Sequence, residues 1–426
     1  MRSTLFYIPA EFAGLPVVGV GWMLAGWLAL SALFLAFMVW RQGWNRDTAS
    51  YLPLVVLFAA VIVFMLPNMV ERGSGGHPLG IPIRGFGVML MLATIAGVGL
   101  GAYRARQMGI DPDVMYSLAF CMFIAGGVGA RLFYIIQYWD QFQQPTVLGT
   151  IKSVLNVTKG GLVVYGSVLA GVPAGIWYMR KRGLPVLAIG DIIAPSMILG
   201  LAIGRIGCFL NGCCYGGVCL TAPYGLSFPP ASPPYERQLE EGWRSGVWLR
   251  QENGSIIVAY VAADSAASAA RLKPGDQIIS INGVATKSLE EARETLRGSR
   301  GAYEFQTANG EVVRWLSKAP PQGSVPIHAT QLYSAIDAGL LALALWLFYP
   351  FRRRDGEVFA LLVTIHPISR FVLEMIRSDE PGQFGTALTI SQWLSLAILV
   401  AACGLWWYIE NQPRGSALPL ASASQS

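Results

Sequence analysis

Several ionisable and polar side chains sit inside or beside long apolar runs, where hydrocarbon cannot solvate them. Arg205 lies in Gly204-Arg205-Ile206-Gly207-Cys208-Phe209-Leu210-Asn211-Gly212-Cys213-Cys214-Tyr215-Gly216, at the end of the apolar run 187–203. Arg131 closes Gly129-Ala130-Arg131 within the run 114–138, and Tyr165 follows Lys159-Gly160-Gly161-Leu162-Val163-Val164. His366, Arg370, Glu374 and Arg377 are spaced by four, four and three residues, which puts all four on one helical face. Phe371, Val372, Leu373 and Ile376 fill the other positions. A charged stripe on an otherwise apolar helix faces protein or water rather than lipid. Arg131, Arg205 and Arg370 outnumber Glu374, the one acid clearly among them. Surplus arginines call for an anion, and in a bilayer the obvious anion is a phospholipid phosphate, which arginine holds bidentately. Structural roles stay open beside this one. Arg131 could snorkel, Arg370 and Glu374 could form a satisfied i,i+4 pair, and Arg377 lies near a span's outer end. In His328-Ala329-Thr330-Gln331-Leu332-Tyr333, Thr330 suits a helix cap and His328 could orient a neighbouring loop.

The elements that must position these residues are membrane helices. The chain has 426 residues, 54% hydrophobic and 13% charged, against roughly 25% charged in soluble chains. At about 20 apolar residues per crossing, the runs 17–40, 51–66, 85–103, 114–138, 161–179, 187–203, 331–350, 358–376 and 388–409 read as nine spans of an all-α polytopic membrane protein. Arg41/Arg46, Arg104/Arg106, Arg180-Lys181-Arg182 and Arg352-Arg353-Arg354 all follow odd-numbered spans. Basic loops stay inside, so the reading is N-terminus out, C-terminus cytoplasmic, and the stretch 208–326 outside. No cleavable signal peptide is expected, because the first apolar run is long and Arg2 is the lone basic flank. The net charge of +6 comes without a basic helix or long Lys/Arg run, so no nucleic-acid partner is expected. Cys208, Cys213, Cys214 and Cys219 cluster at the expected outer face, where disulfides are the favoured reading. No metal is expected, since C-x4-C-C-x4-C is not a common zinc spacing and no histidine is near. The organisation expected is N-terminal helices over 1–80, a membrane core in two parts over 81–238 and 326–409, an insertion over 243–318, and a disordered tail over 410–426.

The insertion is a small α+β module. Residues 255–262 form a β-rich run, Pro274-Gly275-Asp276 a turn, Gln277–Ile281 an alternating strand, Asn282-Gly283 a tight hairpin and 289–296 a short helix. The order Leu272-Lys273-Pro274-Gly275-Asp276 through Ile281-Asn282-Gly283 resembles the PDZ domain of bacterial envelope proteins. That resemblance implies an extended peptide ligand added as a strand, with a pocket near Gly246-Val247-Trp248-Leu249. A rigid spacer that binds nothing is the equal alternative.

Taken in order, the membrane motifs resemble prolipoprotein diacylglyceryl transferases. The matching pieces are Gly129-Ala130-Arg131, Gly160-Gly161 through Gly166, Gly204-Arg205-Ile206-Gly207 through Asn211-Gly212 and Gly216, His328-x-x-Gln331-Leu332-Tyr333, Arg370-x-x-x-Glu374-x-x-Arg377, and Thr389-x-Ser391-Gln392-Trp393-x-Ser395. The resemblance implies an enzyme of the bacterial inner membrane. It would move a diacylglyceryl group from phosphatidylglycerol to the lipobox cysteine thiol in a preprolipoprotein signal peptide, releasing glycerol phosphate and using no cofactor. It makes Arg205 and Arg370 the essential arginines, assigned to the phosphate. Glu374 either orients Arg370 or binds the headgroup, and Asn211 and Gly216 shape the lipid pocket. Arg131, Arg377, His328, Gln331 and Tyr333 complete the expected substrate-binding set. Departures are specific. Tyr165 stands where the family has His, His366 where it has Tyr, Cys208 for Asn, Cys213 for Glu, Ser334 for Glu and Phe86 for Tyr. The exchange suggests that His366 took over proton transfer, suited by a reference pKa of about 6.5. Alternatively neither is the base and Tyr165 only hydrogen-bonds substrate.

Two rival functions were weighed. A site-2 metalloprotease needs His-Glu-x-x-His, which this sequence lacks, and Ser167 has no convincing partner motif for a serine protease. A non-catalytic lipid-binding scaffold would keep the arginines and recruit envelope partners through the insertion, but would need no thiol chemistry.

Overall fold

The computed structural model describes residues 4–73, 75–155, 161, 163–221, 223–263, 265–299, 301–378, 380, 382–383 and 385–418. Strand β1 (Thr4–Ile8) precedes helix α1 (Trp22–Gln42) and the helical run α2 (Thr48–Met69), whose Val61–Met65 turn is π-helical. Strand β2 (Pro78–Arg84) pairs antiparallel with β1 and feeds α3 (Gly85–Gln107). Helices α4 (Pro112–Gln137), α5 (Val164–Lys181) and α6 (Val186–Asn211) follow. The bundle closes with α7 (Thr330–Phe348), α8 (Glu357–Glu374) and α9 (Ile390–Glu410).

Among the described residues, seven helical segments, α1 to α4, α6, α7 and α9, are long and apolar enough to cross a membrane. The expected spans 161–179 and 358–376 are present as α5 and α8, each 18 residues long. Side chains such as Leu30, Leu33, Phe37, Leu57 and Phe64 on α1 and α2 are exposed. Helices apolar all round with so little burial suit lipid, not a soluble core. Helix α6 is different: over half of its apolar window is buried, and it packs against α3, α7 and α8. Where α4 crosses α5, a Cβ on Gly129 would collide with Gly166 O and Ala170, and one on Gly166 with Gly129 O. The two backbones touch, the contact that small residues permit between membrane helices.

One boundary moved. The apolar run suggested that the sixth span stops at 203, but α6 continues to Asn211 and ends at Gly212 in the left-handed conformation, φ 75°. Apolarity ends before the helix does, because the cap, not hydropathy, terminates it. Arg205 and Cys208 are therefore helical residues.

Between α6 and α7 lies a six-stranded sheet. Its strands are β3 (Val247–Glu252), β4 (Ser255–Val261), β5 (Gln277–Ile281), β6 (Val284–Ala285), β7 (Ala302–Thr307) and β8 (Val312–Leu316). The order is β8-β7-β5-β4-β3, with β6 on β5. Asn282 and Gly283 both have positive φ, 48° and 77°, as the two-residue hairpin from β5 to β6 requires. Helix Leu289–Gly298 caps on Ser288 and buries Ala292 and Leu296 against the sheet. At the root of this unit, the Gln238 amide accepts from Val325 N at 2.7 Å and donates to Val325 O at 3.4 Å, clamping the two connecting segments together.

At the basic end of the bundle, Asp191 of α6 is fully buried. Its carboxylate accepts from Gly356 N at 2.7 Å and Phe359 N at 2.9 Å, and lies 3.6 Å from Arg352 Nε. It thus caps the start of α8, where helical N–H groups lack partners. Nearby, Arg104 stacks on Trp346 at 3.6 Å and donates to Trp346 O at 3.2 Å. Removing one partner of such a buried charged set costs about 3–5 kcal/mol. Asp191→Ala is expected to lower the thermal unfolding midpoint of the detergent-solubilised protein clearly, while Glu410→Gln on an exposed helix end leaves it in place. An unchanged midpoint in Asp191→Ala would refute the anchoring role.

Candidate functional site

The opposite end of the bundle gathers the charged stripe of α8. Arg370 Nη1 lies 2.5 Å and Arg377 Nη1 3.0 Å from the same Glu374 oxygen, Oε2, and that carboxylate is fully buried. Its other oxygen, Oε1, accepts from Thr389 Oγ1 at 3.2 Å. Thr389 is the N-cap of α9, in a reciprocal capping box with Gln392. Arg370 Nη2 donates to Ser391 Oγ at 3.1 Å, and Arg377 Nη2 pairs with Glu380 at 3.4 Å. The first turn of α9 therefore helps fix Arg370 of α8 and, through Glu374, Arg377 just beyond its end.

Arg205 comes to this cluster from α6. Its Nε is buried without a hydrogen-bond partner among the described residues. Its charge acts on both Arg370 and His366, which places the three within electrostatic reach of one another. His366 Nδ1 is likewise buried and unpartnered among the described residues. Asp337 of α7 faces His366 as an opposing charge and accepts from Ser369 Oγ at 2.8 Å. Two arginines sharing one wall, one of them with a free donor edge, can hold a phosphate in place of water.

The segment after α6 is threaded against α7 and the end of α8. Gly216 N donates to His328 O at 2.9 Å, Gly217 N to Ile376 O at 3.0 Å, and Gly216 forms a β-bridge with Arg377. A Cβ on Gly216 would stand 2.7 Å from His328 Cβ and 2.9 Å from Thr330 Cγ2, so no larger residue fits. Gln331 Nε2 donates to Cys213 O at 2.8 Å and Thr330 Oγ1 to Cys214 O at 2.7 Å. His328 Nδ1 lies 3.3 Å from Tyr333 Oη, which donates to Tyr224 O at 3.5 Å. The expected substrate-binding residues His328, Gln331 and Tyr333 are thus engaged in holding the 213–224 segment in place.

The cysteines depart from expectation. All six are free thiols rather than disulfide-bonded. Cys208, Cys213 and Cys214 bring their Sγ atoms within 4.8 Å of one another, whereas Cys219 Sγ donates to Thr221 O at 3.7 Å. Sulfur–sulfur hydrogen bonds from Cys208 and Cys213, and then the charges of Arg377 and Arg205, hold the Cys214 thiol below its ordinary range.

Two expected residues are placed differently. Arg131 donates to Gly161 O at 3.2 Å and Val154 O at 3.0 Å, so it is engaged with the segment joining α4 to α5. Tyr165 lies on α5, but its side chain, with Lys159 and Gly160, is outside the described residues. Along α6 from Arg205, an apolar crevice of about 310 Å³ opens between α3, α4 and α6, lined by Leu90, Gly97, Met122, Met197 and Gly200 among others. Sequence reasoning gave no role to Asp337, Glu380, Thr389 or Ser391. The Thr-x-x-Gln spacing of the capping box was the available signal for Thr389; the acids carried none, because they act through tertiary contacts.

Residues 77–408 match the family described as prolipoprotein diacylglyceryl transferase. A phosphatidylglycerol–prolipoprotein diacylglyceryl transferase of Rhodopirellula baltica is 35% identical over 442 positions, covering 94% of this chain and 88% of that protein. Proteins of the same name from Clostridium tetani and Mycobacteroides abscessus are each 25% identical, covering 75% and 79% of this chain and 91% and 75% of their own lengths. With a family match over most of its length and a relative aligned nearly end to end, this chain belongs to the prolipoprotein diacylglyceryl transferase family.

Proposed function

We propose that this protein transfers the diacylglyceryl group of phosphatidylglycerol to the lipobox cysteine of preprolipoproteins. The observation that carries the reading beyond family membership is the convergence of Arg205, with its unpartnered buried Nε, on Arg370 and His366. In the reaction, the substrate thiol loses its proton and the thiolate sulfur attacks the terminal glyceryl carbon of the lipid. The S–C bond forms as the C–O bond to phosphate breaks, and the electron pair leaves on glycerol phosphate. Arg205 and Arg370 hold that phosphate as charge develops on it, where fixed donors in a dry site act strongly. Glu374 keeps Arg370 and Arg377 in position. His366 takes the thiol proton. Asn211 and Gly216 shape the lipid pocket, Arg131 and Tyr165 bind substrate, and His328, Gln331 and Tyr333 fix the loop beside it. The apolar crevice along α6 suits an acyl chain.

The proposed topology has nine crossings, the N-terminus outside and the C-terminus cytoplasmic. The contacts of Arg104 and Arg352 with the α7 end and Asp191 support this, since basic segments meet at one end of the bundle and the site at the other. The inserted sheet then stands on the periplasmic side. Its hairpin at Asn282-Gly283 and its helix suit a PDZ-like module that takes an extended peptide.

The defining experiment uses purified protein, phosphatidylglycerol and a lipobox peptide with Cys or Ser. Release of glycerol phosphate with the Cys peptide alone is expected; lipid binding without release would favour a scaffold. Arg205→Ala and Arg370→Ala should each cut turnover by about 10²-fold or more, the scale set by losing a transition-state donor. Near-normal turnover in either would reject the phosphate assignment. His366→Phe should lower kcat by about 10²-fold with KM for lipid little changed, as for loss of a general base. Near-normal turnover there would remove His366 from proton transfer.

A further inference from the structure

The three converging thiols have no part in holding the phosphate, yet the fold positions them closely. Cys208 is on the last turn of α6, and Cys213 and Cys214 follow the left-handed cap at Gly212. Cys213 N donates back to Cys208 O at 3.2 Å, folding the chain over its own helix end. Cys214 adopts a positive φ of 60°, which non-glycine residues adopt rarely. The carbonyls of both residues are pinned by consecutive α7 side chains, Thr330 and Gln331. The result is three sulfurs within 4.8 Å of one another, all partly accessible and none oxidised.

We infer that Cys208, Cys213 and Cys214 form a site for one soft, thiophilic metal ion of the zinc(II) class, bound by three thiolates with a fourth position open. Tetrahedral zinc with Zn–S bonds of about 2.3 Å needs sulfurs roughly 3.8 Å apart, a contraction of about 1 Å at most from the observed limit. Thiolate ligands select such ions over hard ones. Charge also fits. Three thiolates and a divalent ion leave one negative charge, and Gly216, two residues beyond Cys214, is bridged to the cationic Arg377. The family resemblance puts Asn and Glu at 208 and 213, so the site belongs to this chain's version of the loop rather than to the shared reaction. Its effect is to tie the end of α6 to the segment that carries Gly216 against Arg377.

The test uses the full-length protein in detergent, reduced, stripped of metal and titrated with cobalt(II), then zinc(II). One cobalt per chain is expected, with an intense near-ultraviolet thiolate-to-metal band that zinc displaces. Zinc should raise the unfolding midpoint, as binding to the native state must. Cys208→Ser and Cys214→Ser should each weaken binding at least tenfold, while Cys121→Ser and Cys403→Ser retain it. Because those variants could misfold, thiol alkylation of the unaltered protein gives a second reading: zinc should protect the three cysteines and leave Cys403 reactive. No stoichiometric cobalt binding, binding unchanged in both Ser variants, unprotected thiols, or a disulfide joining two of the three in protein taken from membranes would each overturn the inference. None of these readouts requires lipid transfer, so the outcome is separate from that of the transferase assay.

Discussion

The buried carboxylate of Glu374 is the interaction on which the site depends. A lone carboxylate in a bilayer-spanning bundle is untenable, and two arginines within hydrogen-bond distance of one oxygen satisfy it. The other oxygen takes a hydroxyl from the first residue of a different helix. One charge therefore fixes one cation on α8, another just past its end, and the entry angle of α9. Arg205 adds a third cation to two that already share Glu374. Glu380 answers Arg377 at the rim.

Much of this was legible in the sequence, for identifiable reasons. The i, i+4, i+8 spacing of His366, Arg370 and Glu374 survives because helical periodicity is local, whereas Arg377 lies past the end of α8, in a β-bridge with Gly216, and still reaches Glu374. The hairpin at Asn282-Gly283 survives because its φ angles are chemically forced. The position of α6's end was missed because the apolar run stops at 203, nine residues before the Gly212 cap does its work. The cysteines were misjudged because spacing along the chain says nothing of a backbone that folds back over its own helix end. Gln331 and Thr330 were visible as polar residues beside a span, but their partners, Cys213 and Cys214, are more than a hundred positions away.

The six-stranded sheet is joined to the bundle through a closed root. Its flanks leave and return within one clamp: Gln238 holds both polar groups of Val325, Tyr235 Oη donates to Pro321 O at 2.8 Å, and Trp243 Nε1 donates to Gly323 O at 2.8 Å. Directly after this root comes the short strand Ile327–His328, which pairs with Gly225–Leu226 and is the next element toward the site.

The placement of Arg205 beside Arg370 follows from a contact at the far end of the bundle. Asp191 of α6 accepts from Gly356 N, the residue that opens α8. Arg205 lies fourteen residues beyond Asp191, and Arg370 fourteen beyond Gly356. At 1.5 Å per residue both helices climb about 21 Å over that interval. Two helices pinned at one end and running the same way for equal lengths bring their arginines to the same depth. The small residues along α6 allow the close packing that keeps the rods in register, and Arg352 shields the pin from unpaired burial. The distance between the two arginines is thus set less by their mutual surroundings, which repel them, than by a carboxylate that never approaches the substrate.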